Sequence, residues 1–294
     1  MEMPHPQSFR RRSRGWWRLL WVPVGLLLCA GLFLAAGYWN ATRTPIVVSV
    51  ELPLPGLEAG QQIRVLLIGD TQAGYPDMLR PRLERIVDQA NALKPDLIVL
   101  VGDYHGGKII DRGTVRLEDA LGPLARLRAP LGVYAVLGNH DTVKWTPFVL
   151  NQQGGHPHLL LNAHIDVGPL IVAGVDSIVH SPDFSRAFAD IPAGKPVLLL
   201  LHEPEQLLYH ERQHQVLALA GHTHGGQINL PIFTPIKERF LGKSNCLRGL
   251  CELNGWPVYV TSGIGTSWLP IRFNVPPEMV EITLYSGRKS GTDR

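Results

Sequence analysis

From residue 19 to residue 38 the chain carries no charge, and beyond that stretch apolar residues come in short runs separated by glycine, proline and polar clusters. The first stretch can cross a bilayer, which needs roughly 20 apolar residues. The runs at 46–50 with Leu52, at 63–68, at 97–101 and at 133–137 read as strands. Between the second and third, Leu79, Leu83, Ile86, Val87 and Ala90 recur at helical spacing, which predicts a helix over 77–93 that Lys94-Pro95 stops. A further helix is expected around 117–127. This is the alternation of a sheet covered by helices. In the second half, strands are expected near 159–161, 170–175, 197–201, 216–220, 258–261 and 279–284, with only short helices between them and no internal repeat.

The flanks of the uncharged stretch orient it. Arg10, Arg11, Arg12, Arg14 and Arg18 precede it, only Arg43 follows closely, and Trp16, Trp17 and Trp21 at one end and Tyr38 and Trp39 at the other suit the two interfaces. The arginine excess predicts a cytoplasmic N-terminus and export of everything after residue 40. The expected organisation is a basic tail at 1–18, a membrane anchor at 19–39, a linker at 40–45, one folded domain at 46–286 and a polar tail at 287–294. A cleaved signal peptide is the competing reading, with Ala35 and Gly37 as small residues before the cut, but the run exceeds the usual 7–15-residue signal core. Cys29 lies within the span; Cys246 and Cys251 flank a short polar loop and either pair in an oxidising compartment or stay free. Of 294 residues 45% are hydrophobic and 18% charged, which fits a folded chain. A net charge of +3, evenly spread and without basic–aromatic interleaving, sets nucleic-acid binding aside.

Chemistry concentrates where strands end. Asp70 and Gln72 follow the run at 63–68; Asp103 follows 97–101; Asn139 and His140 follow 133–137; His202 follows 197–201; His222 and His224 follow 216–220. Taken singly, a Gly-Asp after a strand is more often a turn, and an isolated His-x-His is more often no site. Together they supply carboxylate, amide and imidazole at one strand end after another, the mixture that a two-cation site requires. Were these strands in one sheet, all five clusters would meet beyond its carboxyl ends.

In that order, Asp70, "GD" at 102–103, "GNHD" at 138–141, His202 and "GHTH" at 221–224 resemble the calcineurin-like metallophosphoesterase superfamily. "GHTHGGQINLP" and "YVTSGIGTSWLPIRFNVPPEMVEITL" are similar to its membrane-associated bacterial branch. The resemblance implies an α/β fold, a four-layer α/β-β/α sandwich, preceded here by one N-terminal transmembrane helix. It implies a metal-dependent phosphoric ester hydrolase in which Asp70, residue 72 and His224 hold one divalent cation, Asn139, His202 and His222 hold a second, and Asp103 bridges them. His140 would protonate the leaving oxygen, histidine being the residue type that exchanges a proton near neutral pH. Asp141 would orient His140 or serve the fold. Such cations, roughly 3.5–4 Å apart, bind phosphoryl oxygens and align the attacking and leaving oxygens.

Gln72 departs from the family's usual Asp-x-His. Three readings stand: Gln72 binds through its amide oxygen, His105 replaces it, or the first site is weakened. The first is favoured, because every other ligand is present and a branch that cleaves nucleotide-diphosphate compounds with manganese is similar in carrying Gln there. An oxygen-rich site favours Mn²⁺ or Mg²⁺ over Zn²⁺, with Fe also able to serve. The expected activity is hydrolysis of a phosphomonoester, phosphodiester or pyrophosphate bond on the periplasmic face of a bacterial inner membrane. The anchor makes a lipid-linked phosphate attractive; Arg272 in "LPIRF" either steadies a substrate phosphate or is a surface charge. The alternative from another class is a catalytically weak metal-binding scaffold with a degraded first site. A peptidase-like reading lacks an HExxH pattern.

Overall fold

The computed structural model describes residues 16–111, 115–144, 146–147, 149, 157–230 and 246–287. Arg10, Arg11, Arg12 and Arg14 and the tail from 288 lie outside the described residues. Helix α1 (Trp16–Thr42) is followed by β1 (Ile46–Pro53), β2 (Gln62–Ile68), α2 (Arg80–Ala92), β3 (Leu97–Val101), α3 (Leu117–Leu121), β4 (Val133–Val136) and β5 (His158–Leu159). Then come β6 (Ala163–Asp166), β7 (Ile171–Gly174), α4 (Phe184–Ala187), β8 (Pro196–Leu200), β9 (Gln215–Ala220), β10 (Gly249–Leu253), β11 (Trp256–Val260) and β12 (Glu278–Tyr285).

Among the described residues the strands form two six-stranded sheets, ordered β1-β12-β2-β3-β4-β5 and β10-β11-β9-β8-β7-β6. The ligand-bearing strands are divided between the two sheets, as the sandwich that the resemblance implies requires: β2, β3 and β4 are parallel neighbours in the first, and β8, β9 and β11 in the second. The two sheets pack face to face. Val65, Leu67, Leu97, Val99 and Val101 meet Val172, Leu198, Leu200, Leu217 and Leu219 between them. The alternate residues Leu66, Ile68, Ile98 and Leu100 face Leu83, Ile86 and Val87 of α2, while Leu199, Ala218 and Val258 face Phe184, Phe188 and Leu207. Strands buried on both faces read as unbroken apolar runs, which is why they were visible in the sequence. The result is the four-layer α/β-β/α sandwich.

Two helices differ from expectation. α2 starts at Arg80, three residues late, because Gly74 and Met78 close a backbone turn on each other and Asp77 is drawn into a buried pair with Lys108; Pro81 then suits its first turn. The helix expected around 117–127 is α3 followed by a 3₁₀ turn, Gly122–Arg126, because Gly122-Pro123 withdraws a backbone donor. Strands β6 and β10, at sheet edges, were not expected: both are short and largely unburied, which leaves too weak an apolar pattern.

Residues 21–42 are long and apolar enough to cross a membrane. Residues 21–36 are exposed, whereas Gly37 is buried against the ring of Phe273, 2.6 Å from where a Cβ would lie. Arg272 N–H donates to Gly37 O (3.0 Å), Asn40 Nδ2 donates to Arg272 O (3.0 Å), and the buried Arg82 donates to Ala41 O (2.8 Å). The last turns of α1 are thus fixed to the domain, in part through Ala41 O, one of the carbonyls that a helix end leaves unpaired. Cys246 and Cys251 form a disulfide across a Cα separation of 5.9 Å.

Candidate metal centre

Register brings the clusters together. Ile68 pairs with Leu100 and Val101 with Val136, so Asp70, Asp103 and Asn139 emerge at one edge of the first sheet. Leu200 pairs with Leu219 and Ala220 with Val260, so His202 and His222 emerge at the same edge of the second. The centre lies on the seam. His202 Nδ1–H donates across it to Val101 O (2.6 Å), and His222 N–H donates across it to Asp70 Oδ1 (3.0 Å).

The backbone of this edge is bent into a costly shape. Asp70, Gln72, Asp103, His222 and His224 all have φ between 43° and 69°, a left-handed conformation that costs a non-glycine residue roughly 1–2 kcal/mol. The preceding glycines make it possible. Gly102 sits at φ 86° where a Cβ would strike the backbone of Gly138, and a Cβ at Gly221 would lie 2.5 Å from Asp70 Oδ2. Five such residues gather at this one edge, which fits strain held for a site.

Two groups of ligating atoms result, each within 4.8 Å: Asp70, Asp103 and His224, and His202, Glu203 and His222. In the second, Glu203 is occupied elsewhere, accepting from Ser177 Oγ (2.5 Å), Ile178 N–H (3.2 Å) and Gln206 Nε2 (2.8 Å). Asn139 takes its place at the centre. Its Oδ1 lies 3.1 Å from His202 Nε2 and 3.0 Å from His222 Nδ1, and Asp103 Oδ2 lies 3.3 Å from His202 Nε2. Lone-pair atoms facing one another this closely repel unless a proton or a cation lies between them. The donor set therefore fits a divalent cation.

The first group fits too. Gln72 Nε2 donates to Asp103 Oδ2 (2.8 Å), whereas the buried Gln72 Oε1 and His224 Nδ1 have no hydrogen-bond partner. A buried polar atom left unpaired costs about 1–3 kcal/mol, so such atoms call for a ligand. Burial pushes the Asp70 carboxyl up to about 7, with His202 opposing and Asp103 adding to the push. Burial lowers His222 to about 4, and lowers His224 with the charge of Arg272 acting the same way. His202 goes the other way: burial would lower it, but the Asp103 carboxylate outweighs that and holds its proton. Imidazoles kept neutral in this way, at His222 and His224, retain a ring lone pair that can ligate.

His140 is exposed at the mouth, with its backbone N–H on Asp103 Oδ1 (2.9 Å). It lines a cavity of about 340 Å³ together with His105, Leu117, Glu118, Thr142, Thr146 and Val149. His105 Nε2 is bound to Val115 O (2.9 Å) on that wall, away from Gln72's place. Asp141 accepts from the backbone N–H groups of Asp103 (2.8 Å), Tyr104 (2.9 Å) and Gly138 (2.8 Å), so it braces the loops. The expectation for Arg272 is corrected: its guanidinium is fully buried and donates to the carbonyls of Ser262, Gly263, Gly265 and Val275. It stiffens the loop on which Asp70 rests, since Gly265 N–H donates to Asp70 O (2.8 Å). Sequence reasoning missed the Asp77–Lys108 pair (3.0 Å), whose ammonium also holds Gln72 O. No spacing signals it, because the partners lie on separate loops.

The sequence profile of the family described as calcineurin-like phosphoesterase matches residues 63–226, which contain every residue of both groups. An uncharacterized metallophosphoesterase of Campylobacter jejuni is 28% identical over 90% of this chain and 70% of its own length. A zebrafish transmembrane protein with metallophosphoesterase domain is 31% identical over 88% of this chain and 61% of its own. A putative metallophosphoesterase of Caenorhabditis elegans is 31% identical over 88% of this chain, which spans 56% of it. The solved NAD nucleotidase of Haemophilus influenzae is a distant likeness, with a TM-score of 0.44 and 15% identity over 71% of this chain and 46% of that one. The chain belongs to the calcineurin-like phosphoesterase family.

Proposed function

We propose that the protein is a membrane-anchored, dinuclear-metal-dependent phosphoesterase whose catalytic unit is residues 46–286. Asp70, Gln72 and His224 hold one cation, Asn139, His202 and His222 the other, and Asp103 both. The observation that carries this reading is the convergence of these seven side chains on one seam, with the Gln72 amide 2.8 Å from Asp103 Oδ2 and His224 Nε2 3.5 Å from Asp70 Oδ1. Half a turn of the Gln72 amide exchanges its nitrogen and oxygen and sets Oε1 beside Asp103. Oxygen ligands in that half favour manganese over zinc. When bound, the pair of cations supplies Lewis acidity and an activated water.

The remaining steps belong to the chain. Backbone bonds between the loops at 69–74 and 102–106 keep Asp70 and Asp103 in register; Gln72 N–H, for example, donates to Asp103 O (2.8 Å). Val101 O fixes which nitrogen of His202 faces the centre. His140, tethered through its backbone to Asp103, stands at the cavity where a leaving group would lie and gives its oxygen a proton. The substrate is a phosphomonoester, phosphodiester or pyrophosphate, with a lipid-linked phosphate favoured by the anchor.

The domain is placed on the periplasmic side of a bacterial inner membrane. The arginines that precede α1 and the Cys246–Cys251 disulfide support this. The test is hydrolysis of a chromogenic phosphomonoester and phosphodiester by the metal-stripped full chain refilled with Mn²⁺, Mg²⁺, Zn²⁺ or Fe²⁺. Manganese-dependent turnover that disappears in His140→Ala at unchanged metal content supports the reading. No turnover with any ion sinks it in favour of a scaffold.

A further inference from the structure

We propose that an apolar rim formed by Tyr75, Ile109, Ile110, Trp268 and Leu269 rests on the lipid surface beside α1 and holds the ligand-bearing loops next to the bilayer. This goes beyond the hydrolytic reading and rests on α1 as the spanning helix.

The rim side chains are out in solvent: Trp268 is 66% exposed, Ile109 64% and Tyr75 52%. The segments that carry Ile109 and Trp268 are neighbours through their backbones. Trp268 N–H donates to Gly107 O (2.7 Å) and Ile109 N–H donates to Trp268 O (3.1 Å). Trp268 is held at φ 64°, where a bulky residue is costly, while its ring lies in solvent.

Continuity with α1 identifies the occupant. Tyr38 and Trp39, at the end of the apolar run, are exposed, and Tyr38 Oη donates to Pro76 O (3.2 Å), next to Tyr75. One turn earlier, Phe33 stacks on Phe273 with ring centroids 4.1 Å apart. Phe273 also packs against Gly37, so with Tyr38 at the interface its ring extends from about that level toward hydrocarbon. The loop from Trp268 to Phe273 therefore reaches interfacial depth, where Trp and Tyr rings are favoured. The same loop is tied to the metal centre, since Gln227 Nε2 donates to Ser267 O and Leu269 O (2.9 Å each) just after His224.

The experiment places single nitroxide labels on the full chain in nanodiscs of phosphatidylethanolamine and phosphatidylglycerol. Labelled positions are native Cys29 and, in a Cys29→Ser background, Trp268→Cys, Ile109→Cys and Asp190→Cys. Collision with oxygen, which concentrates in lipid, is compared with collision with a water-soluble nickel chelate. Labels at 268 and 109 are expected to show an oxygen preference severalfold above that at exposed Asp190, with Cys29 higher still. Ile109→Cys and Trp268→Cys sit on different loops, so one misfolded variant leaves the other decisive. Lipid at 29 with water at 268 and 109 overturns the rim alone; water at 29 removes its basis in α1. Labels at 268 and 109 shielded from both reagents, or broadened by a second label, would put a protein or a second copy on the patch, and oxygen preference at 190 equal to theirs would mean non-specific contact; each of these overturns it.

Discussion

The two halves of the centre are held in different ways. Around His202 the geometry is already set by hydrogen bonds: Val101 O takes one ring nitrogen, while Asn139 Oδ1 and Asp103 Oδ2 face the other. Around Gln72 the donors are buried and partly unpaired, and they are positioned by left-handed backbone and by Lys108 on the Gln72 carbonyl. The His202 half is preorganised and rich in imidazole; the Gln72 half is rich in oxygen and completed by what it binds. The first should hold its cation tightly and the second selectively.

Asp103 belongs to both halves, so Asp103→Asn should do the most damage. Activity is expected to fall by several kcal/mol of barrier, on the order of 10²–10³-fold or more, and elemental analysis should find less metal at both places. His140→Ala should lower kcat by about 10²–10⁴-fold and leave bound metal unchanged, which separates chemistry from ligation. Gln72→Ala should strip the first cation and spare the second, whereas Gln72→His should keep two and move the metal preference from manganese toward zinc. A Gln72→Ala variant with unaltered metal content would mean that the halves do not differ as described. Glu203→Gln tests the smallest effect: thermal stability should fall by about 1–3 kcal/mol because its donors lose a charged acceptor, while metal content stays the same.

The polar side chains that meet on the seam stood out in the sequence because each apolar run buried on both faces ends abruptly in a polar cluster, after a glycine at Asp70, Asp103, Asn139 and His222 and directly at His202. The two-sheet sandwich was implied by the resemblance alone; which sheet each strand joins could not be read from its residues, since parallel strands read alike in either. Arg272 shows why the rest was obscure. A lone basic residue in a proline-containing loop looks exposed, yet the glycine-rich segment at 262–265 turns three carbonyls inward and Val275 adds a fourth, and the guanidinium fills the space among them. The Asp77–Lys108 pair and the Asp141 brace are likewise long-range contacts with no periodicity to announce them. Cys246 and Cys251 were open between pairing and free thiols, and only their proximity decides it.

The anchor gives the comparison a cellular setting. α1 is bonded to Arg272, whose guanidinium supports the loop behind Asp70, so the less preorganised half is the one tied to the helix. The better preorganised His202 half draws its fixed contacts from the two sheets themselves.

The most direct test of the central claim is the number of manganese ions per full-length chain after metal stripping and refilling, measured for the wild type and for Gln72→Ala. Two ions in the wild type and one in the variant are predicted, with ester hydrolysis only in the former. One ion in both, with no turnover in either, would contradict the two-cation centre and Gln72 as its oxygen ligand.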